Sequence, residues 1–248
     1  MKKKYLKFLI CPASKSSNLK IVNIKKQNKD DIIEATIKCK DSSEEYLIKD
    51  SIPLMLSKKS PNFPEMSFDK QWLLKKLKLL EPVLSSGKKP QERYNKILDI
   101  FKLNRFPDGS VFLDAGCGNG VNGLEVAKNN PASTVIMLDV SIQGLKETYK
   151  RAKNLKNVFV LQSDLLNLAI KNNIFDYIWS EGVLHHTKNT YEALVSVENT
   201  LKRKGMLYIW LYANYKKSYY LIMRDITFNK AYKLPFWLIY FLSVSLSL

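Results

Sequence analysis

Val111-Phe112-Leu113-Asp114-Ala115-Gly116-Cys117-Gly118-Asn119-Gly120 decides how this chain is read. An apolar run long enough for one strand meets an acid, and three glycines follow at alternate positions. A turn this tight from strand to helix takes backbone angles closed to residues with a side chain. Without Cβ atoms, the same turn lets a ligand lie directly on the backbone. The helix expected next offers unpaired N–H groups and the positive end of its dipole, a seat for a carboxylate. The dinucleotide fingerprint Gly-x-Gly-x-x-Gly has its third glycine one residue later than here. With an acid just ahead of the turn, that difference disfavours NAD.

Working outward, apolar runs and helical stretches alternate. Strands are expected at 111–115, 134–140, 158–162, 175–180 and 206–212, with helices at about 122–129, 142–152 and 190–203. This order implies βαβ crossovers: an α/β, Rossmann-like, mostly parallel sheet with helices on both faces. Two more strands end in acids. Val135-Ile136-Met137-Leu138-Asp139 places a carboxylate about twenty residues after the turn, where it can accept both hydroxyls of a ribose. Phe159-Val160-Leu161-Gln162-Ser163-Asp164-Leu165 offers Asp164 to an adenine amino group and the Leu165 N–H to a ring nitrogen. A single aspartate at a turn is ordinary. Three at successive carboxyl ends of such a sheet mark a nucleoside site.

The fourth strand runs Phe175-Asp176-Tyr177-Ile178-Trp179-Ser180-Glu181-Gly182 and continues Val183-Leu184-His185-His186-Thr187. His185 and His186 are the only histidines in the chain. Either is a candidate base toward a substrate hydroxyl or amine, since imidazole titrates near neutral pH. Capping or packing against the next helix explains them as well. "FLDAGCGNG", "GVLHHT" and "LKRKGMLYIWLY" together resemble the class I S-adenosylmethionine-dependent methyltransferases of the UbiE-like broad group. The resemblance covers about residues 68–212, and it departs from the usual Pro-Gly-Gly before the last strand, where Arg203-Lys204-Gly205 stands.

That resemblance implies S-adenosylmethionine as cofactor. It makes Gly116, Gly118 and Gly120 the floor under the methionine part and sets Asp114 near the amino group. Asp139 falls on the ribose and Asp164 with Leu165 on the adenine, while Ser180, Glu181 and Gly182 fall at the sulfonium end. Cys117 reads as a small packing residue. Ser67-Phe68-Asp69-Lys70-Gln71-Trp72 resembles the aromatic segment that some relatives fold over the cofactor, although Phe68 and Trp72 would share a helix face in plain packing too. The acceptor expected is a small metabolite, lipid or glycan. Alternatives are an RNA methyltransferase and a truncated or non-catalytic cofactor-binding protein, because relatives continue two strands past the fifth.

Ahead of this domain, short apolar runs at 5–10, 19–24, 32–37 and 46–48 read as a small antiparallel sheet, the first run being its first strand. Residues 6–55 resemble the small Trm112-like domain through Leu9-Ile10-Cys11-Pro12, Cys39-Lys40 and the stretch from Ile48 to Leu56. Zinc-binding members carry pairs such as Cys-Pro-x-Cys. Here Ser14 takes the second place and nothing pairs with Cys39, so no metal is expected. The division expected is 1–57 for this unit, 58–108 for a helical linker or lid and 109–248 for the methyltransferase domain. Within 58–108, Pro61 and Pro64 open the linker, and helices fall around 72–80 and 91–103.

Composition fits this assignment. A hydrophobic share of 46% and a charged share of 25% over 248 residues suit a globular chain. Three scattered cysteines argue against a disulfide framework and for the cytoplasm. The net charge of +17 invites a nucleic-acid partner. The lysines are scattered, though, and arginine occurs only at 93, 105, 151, 203 and 224, which disfavours nucleic acid and leaves it as the alternative partner. Residues 234–248 are almost wholly apolar yet shorter than the roughly 20 residues of a membrane span. A packed helix is expected there, with membrane-surface contact as the alternative.

Overall fold

The computed structural model describes residues 1–57, 69 and 89–211. Among them the strands are β1 (Leu19–Asn28), β2 (Asp31–Cys39), β3 (Glu45–Lys49), β4 (Ile52–Leu54), β5 (Val111–Ala115), β6 (Thr134–Asp139), β7 (Val158–Gln162), β8 (Phe175–Glu181) and β9 (Leu201–Trp210). The helices are α1 (Pro90–Phe101), α2 (Val121–Asn129), α3 (Ile142–Arg151) and α4 (Thr190–Glu198). The expected helix around 72–80, the Phe68 and Trp72 pair and the apolar stretch 234–248 lie outside the described residues.

The strands form one sheet in the order β1-β2-β3-β4-β7-β6-β5-β8-β9. From β4 to β9 every neighbour is parallel, and β1 to β4 run as an antiparallel meander. The amino-terminal strands therefore do not form a sheet of their own. Leu54 pairs with Gln162, and the Met55 N–H donates to the Gln162 carbonyl at 3.0 Å. The edge of β7, which would otherwise present unpaired backbone groups, is thereby covered.

The inner parallel strands β5, β6 and β7 are largely apolar because both faces are buried. Phe112, Val135, Met137, Val160 and Trp179 face one way, against Tyr94, Ile97, Phe101, Leu124 and Leu145 of α1, α2 and α3. Leu113, Ile136, Leu138, Phe159, Leu161 and Ile178 face the other way. There α4 contributes Ala193 and Val197, and the chain's first residues contribute Tyr5, Phe8 and Leu9. No helix occurs between β7 and β8, so the amino-terminal segment fills the place of a crossover helix. Tyr5 stacks on Phe159 with ring centroids 4.8 Å apart and planes within 9°.

Two element assignments change. Residues 5–10 are not a strand: Lys3–Phe8 form a 3₁₀ helix, and only Leu9 bridges, to Ile170. Tyr5 and Phe8 are buried three apart, which is the 3₁₀ repeat and not the alternation of a strand. The last helix ends at Glu198, and β9 starts at Leu201, five residues before the expected 206. The Thr200 carbonyl accepts the N–H groups of both Ile174 and Phe175, which draws the chain into pairing as soon as the helix stops.

Candidate functional site

The carboxyl ends of β5, β6, β7 and β8 lie side by side, and the acids read from the sequence sit on them. Asp114 is buried, and its Oδ2 accepts the Gly123 N–H at 2.8 Å, pinning the end of β5 to the first turn of α2. Burial pushes its carboxyl up to about 7, against the pull of that N–H, and the neighbouring Asp139 and Glu181 push the same way.

Gly116, Gly118 and Gly120 all have positive φ, at 79°, 54° and 75°. The chain's own packing restricts two of them further. A Cβ on Gly116 would lie 2.2 Å from Val183 Cγ1, and one on Gly120 would lie 2.7 Å from Thr148 Cγ2. Gly118 donates its N–H to Asp139 Oδ2 at 2.8 Å, and its carbonyl accepts from the Thr148 hydroxyl at 2.9 Å. Cys117 is buried. Burial, with Asp114 and Asp139 nearby, pushes its thiol well above the ordinary range, as suits a packing residue.

Asp139 ends β6 half-buried, its second oxygen accepting the Ser141 N–H at 2.8 Å. Burial raises its pKa as well. A carboxylate offers about four lone-pair sites, and the backbone N–H groups of Ser141, Gly118 and Val140 address part of them. Asp69 adds to this corner. Its Oδ1 accepts from the Ser141 hydroxyl and from the Gln143 N–H at 3.1 Å, at the start of α3. Beyond β7, Asp164 accepts the Leu166 N–H at 2.9 Å, and the Leu165 side chain is buried.

At the end of β8, the buried Ser180 hydroxyl donates to the Ala115 carbonyl at 3.0 Å, which ties β8 to β5. Glu181 pairs with Lys96 of α1 and accepts from Asn122 Nδ2 at 3.3 Å. Lys96 also lies over the rings of Trp179 and Tyr208, at 5.4 and 5.9 Å from their centroids. Neither Lys96 nor Asn122 was legible in the sequence, because a lysine on an amphipathic helix and an asparagine after a glycine turn carry no spacing signal. Gly182, at φ 73°, donates its N–H to the Trp210 carbonyl at 3.0 Å.

His185 and His186 occupy a short 3₁₀ turn just past this edge, with ring centroids 4.1 Å apart. His186 is exposed and His185 half-buried. They do not cap the next helix. Asn189 does, accepting the N–H groups of Tyr191 and Glu192. Among the described residues, no group of three or more His, Cys, Asp or Glu stands together to hold a metal.

Residues 107–232, just over half the chain, match the methyltransferase-domain family. The demethylmenaquinone methyltransferase of Staphylococcus carnosus is 31% identical over 108 residues, which are 43% of this chain and 45% of that protein. The tRNA (carboxymethyluridine(34)-5-O)-methyltransferase of Arabidopsis thaliana is 28% identical over 190 residues, 71% of this chain and 43% of its own. The chain spans less than half the length of these relatives. Among solved structures, an N-methyltransferase of Haemonchus contortus bound to phosphomonomethylethanolamine and S-adenosylhomocysteine shares the fold. Its TM-score is 0.52 at 22% identity, covering 63% of this chain and 37% of that one. A parallel sheet ending in a glycine turn and a row of carboxylates is thus accompanied by a family match over the same residues: the chain belongs to the methyltransferase-domain family, enzymes that depend on S-adenosylmethionine.

Proposed function

We propose that this chain moves a methyl group from S-adenosylmethionine to a small metabolite, lipid or glycan. One observation carries the reading: Asp114, Asp139 and Asp164 stand at the ends of β5, β6 and β7, beside a turn with three glycines at positive φ. The cofactor supplies a methyl carried on a positively charged sulfur. Asp139 holds the ribose hydroxyls through the lone pairs that its backbone donors, Gly118, Ser141 and Val140, do not use. Asp164 and the Leu165 N–H hold adenine. Gly116, Gly118 and Gly120 let the methionine part lie on the backbone, Asp114 faces its amino group, and Ser180, Glu181 and Gly182 frame the sulfonium end.

Positioning accounts for most of such a displacement, because the acceptor atom and the methyl carbon must be brought into line. Where the acceptor carries a proton, His186 is the better placed base, being exposed where His185 is half-buried. The amino-terminal unit is read as Trm112-like, in keeping with its Cys-Pro turn and antiparallel strands. Three free, buried cysteines favour a reducing compartment, so the protein is placed in the cytoplasm. No helix of the described residues is long and apolar enough to cross a membrane.

Isothermal titration with S-adenosylmethionine comes first, then transfer of labelled methyl to separated lipid, small-molecule and RNA fractions. Absence of binding removes the reading. Binding without transfer to any fraction favours a non-catalytic cofactor-binding protein, and label in RNA overturns the acceptor class.

A further inference from the structure

Glu181, at the end of β8, is the acid expected at the sulfonium end of the cofactor, and its charge is already met. Lys96 of α1 pairs with Oε1, and Asn122 Nδ2 of α2 donates to Oε2 at 3.3 Å, so two helices hold the carboxylate between them. The lysine is itself fixed. Its neighbours Tyr94 and Ile97 are buried and anchor α1. Its ammonium lies over the rings of Trp179 and Tyr208, at 5.4 and 5.9 Å from their centroids, and those rings are 4.2 Å apart. Aromatic faces and a carboxylate attract the same cation and keep it where it is.

Charge makes this position matter. The carboxyl edge gathers Asp114, Asp139 and Glu181, and the last two both push the Asp114 carboxyl up, so their fields reach along it. S-adenosylmethionine carries its charge on sulfur, whereas the thioether left after transfer is neutral, the electron pair of the broken S–C bond staying on sulfur. A bare carboxylate at that end would favour the charged cofactor over the neutral product by plain attraction. It would also stabilise the bound cofactor more than the state in which charge is leaving the sulfur, which raises the barrier. A lysine seated on the acid cancels most of that bias.

We propose that Lys96 is a specificity-determining residue that acts through Glu181: by neutralising this acid it sets how strongly the chain prefers the sulfonium cofactor to the neutral thioether product. The inference rests on the methyl-transfer reading, which places Glu181 at the sulfonium end. An ion pair of structural use alone would change stability and leave that preference untouched. The side chains of Lys96 and Glu181 are 32% and 29% exposed, so dissolved salt reaches the pair and tempers its effect on a bound charge.

The test is calorimetry with S-adenosylmethionine and with S-adenosylhomocysteine on the full-length native chain, Lys96→Met, Glu181→Gln and the double variant. The quantity read is the ratio of the two dissociation constants. Lys96→Met leaves Glu181 bare and is expected to raise the preference for S-adenosylmethionine by about tenfold at low salt, which is about 1.4 kcal/mol. Glu181→Gln leaves the lysine bare and should shift the preference the other way. The double variant, with neither charge, should return to within about twofold of the native ratio, Lys96→Arg should keep it, and added salt should shrink both single shifts. Equal ratios in the native chain and both single variants overturn the inference and leave the methyl-transfer reading standing. Single shifts of the same sign overturn it too, because opposite charges must act oppositely. Absence of binding of either ligand to the native chain removes the reading and this inference with it. Should Lys96→Met fail to fold, Lys96→Gln beside Glu181→Gln decides by the same ratios.

Discussion

The two faces of the parallel sheet are covered by different means. One is roofed by α1, α2 and α3, whose Tyr94, Ile97, Phe101, Leu124 and Leu145 come from the helical sequence flanking and following the glycine turn. The other is roofed by α4 and by the first residues of the chain, because the link from β7 to β8 has no helix. A sheet of this kind needs cover on both faces, and any part of the chain can supply it. The amino-terminal unit is thus bound to the fold by the same apolar burial that holds a crossover helix.

The largest effect should come from removing residues 1–57. Loss of Tyr5, Phe8, Leu9 and Met55 would bare the face formed by Ile136, Leu138, Phe159 and Leu161 and unpair the edge of β7. The remaining fragment is expected to be insoluble or to lack a cooperative thermal transition. A soluble, cooperatively melting fragment would show that the second face does not depend on this cover. On a smaller scale, Tyr5→Ala and Phe101→Ala open comparable holes on opposite faces and should each cost about 3–5 kcal/mol in urea unfolding. Equal losses would show that the two roofs bear similar loads. A loss under about 1 kcal/mol for Tyr5→Ala would mark the amino-terminal roof as loosely held.

The carboxyl edge, where the roofs meet the ligand side, should behave differently, with affinity falling more than stability. Asp139→Ala removes the acceptor proposed for two ribose hydroxyls and should weaken S-adenosylmethionine binding by about 2–4 kcal/mol in calorimetry. It also frees the N–H groups of Gly118 and Ser141, so a smaller loss of stability is expected beside it. Unchanged affinity would place the nucleoside elsewhere.

The parallel half was legible because its signals are local. Val111–Ala115 runs straight into the glycines, and both later acids end apolar runs, so strand, turn and the acids at the carboxyl edge are read within a few residues. The second roof was not legible. Tyr5 meets Phe159 across the whole domain, and nothing in residues 5–10 says that they replace a helix. Lys96 reaches Glu181 through a helix that sits ahead of the strands, which no pattern within either segment encodes.

The smallest effect separates the two kinds of burial at a single group. Asp114 is buried like the core around it, yet it is ionisable, and burial holds its carboxyl at about 7 instead of near 4. The folded state therefore keeps a proton that the unfolded chain has already released over that window. The resulting stabilisation is complete below about pH 4 and is lost as pH rises through about 7. Asp114→Asn keeps an oxygen for the Gly123 N–H and has no charge to bury. Subtracting the unfolding free energies of the two proteins cancels the titrating groups that do not interact with Asp114, whereas Asp139 and Glu181 contribute through their coupling to it. From pH 5 to pH 8 the asparagine variant should gain on the native chain by on the order of 2 kcal/mol, with a slope no steeper than about 1.4 kcal/mol per pH unit, the limit for one proton. Parallel stability curves for the two proteins would mean that Asp114 ionises as readily in the fold as out of it, so that the edge of β5 is open to water and not sealed by the roof above it.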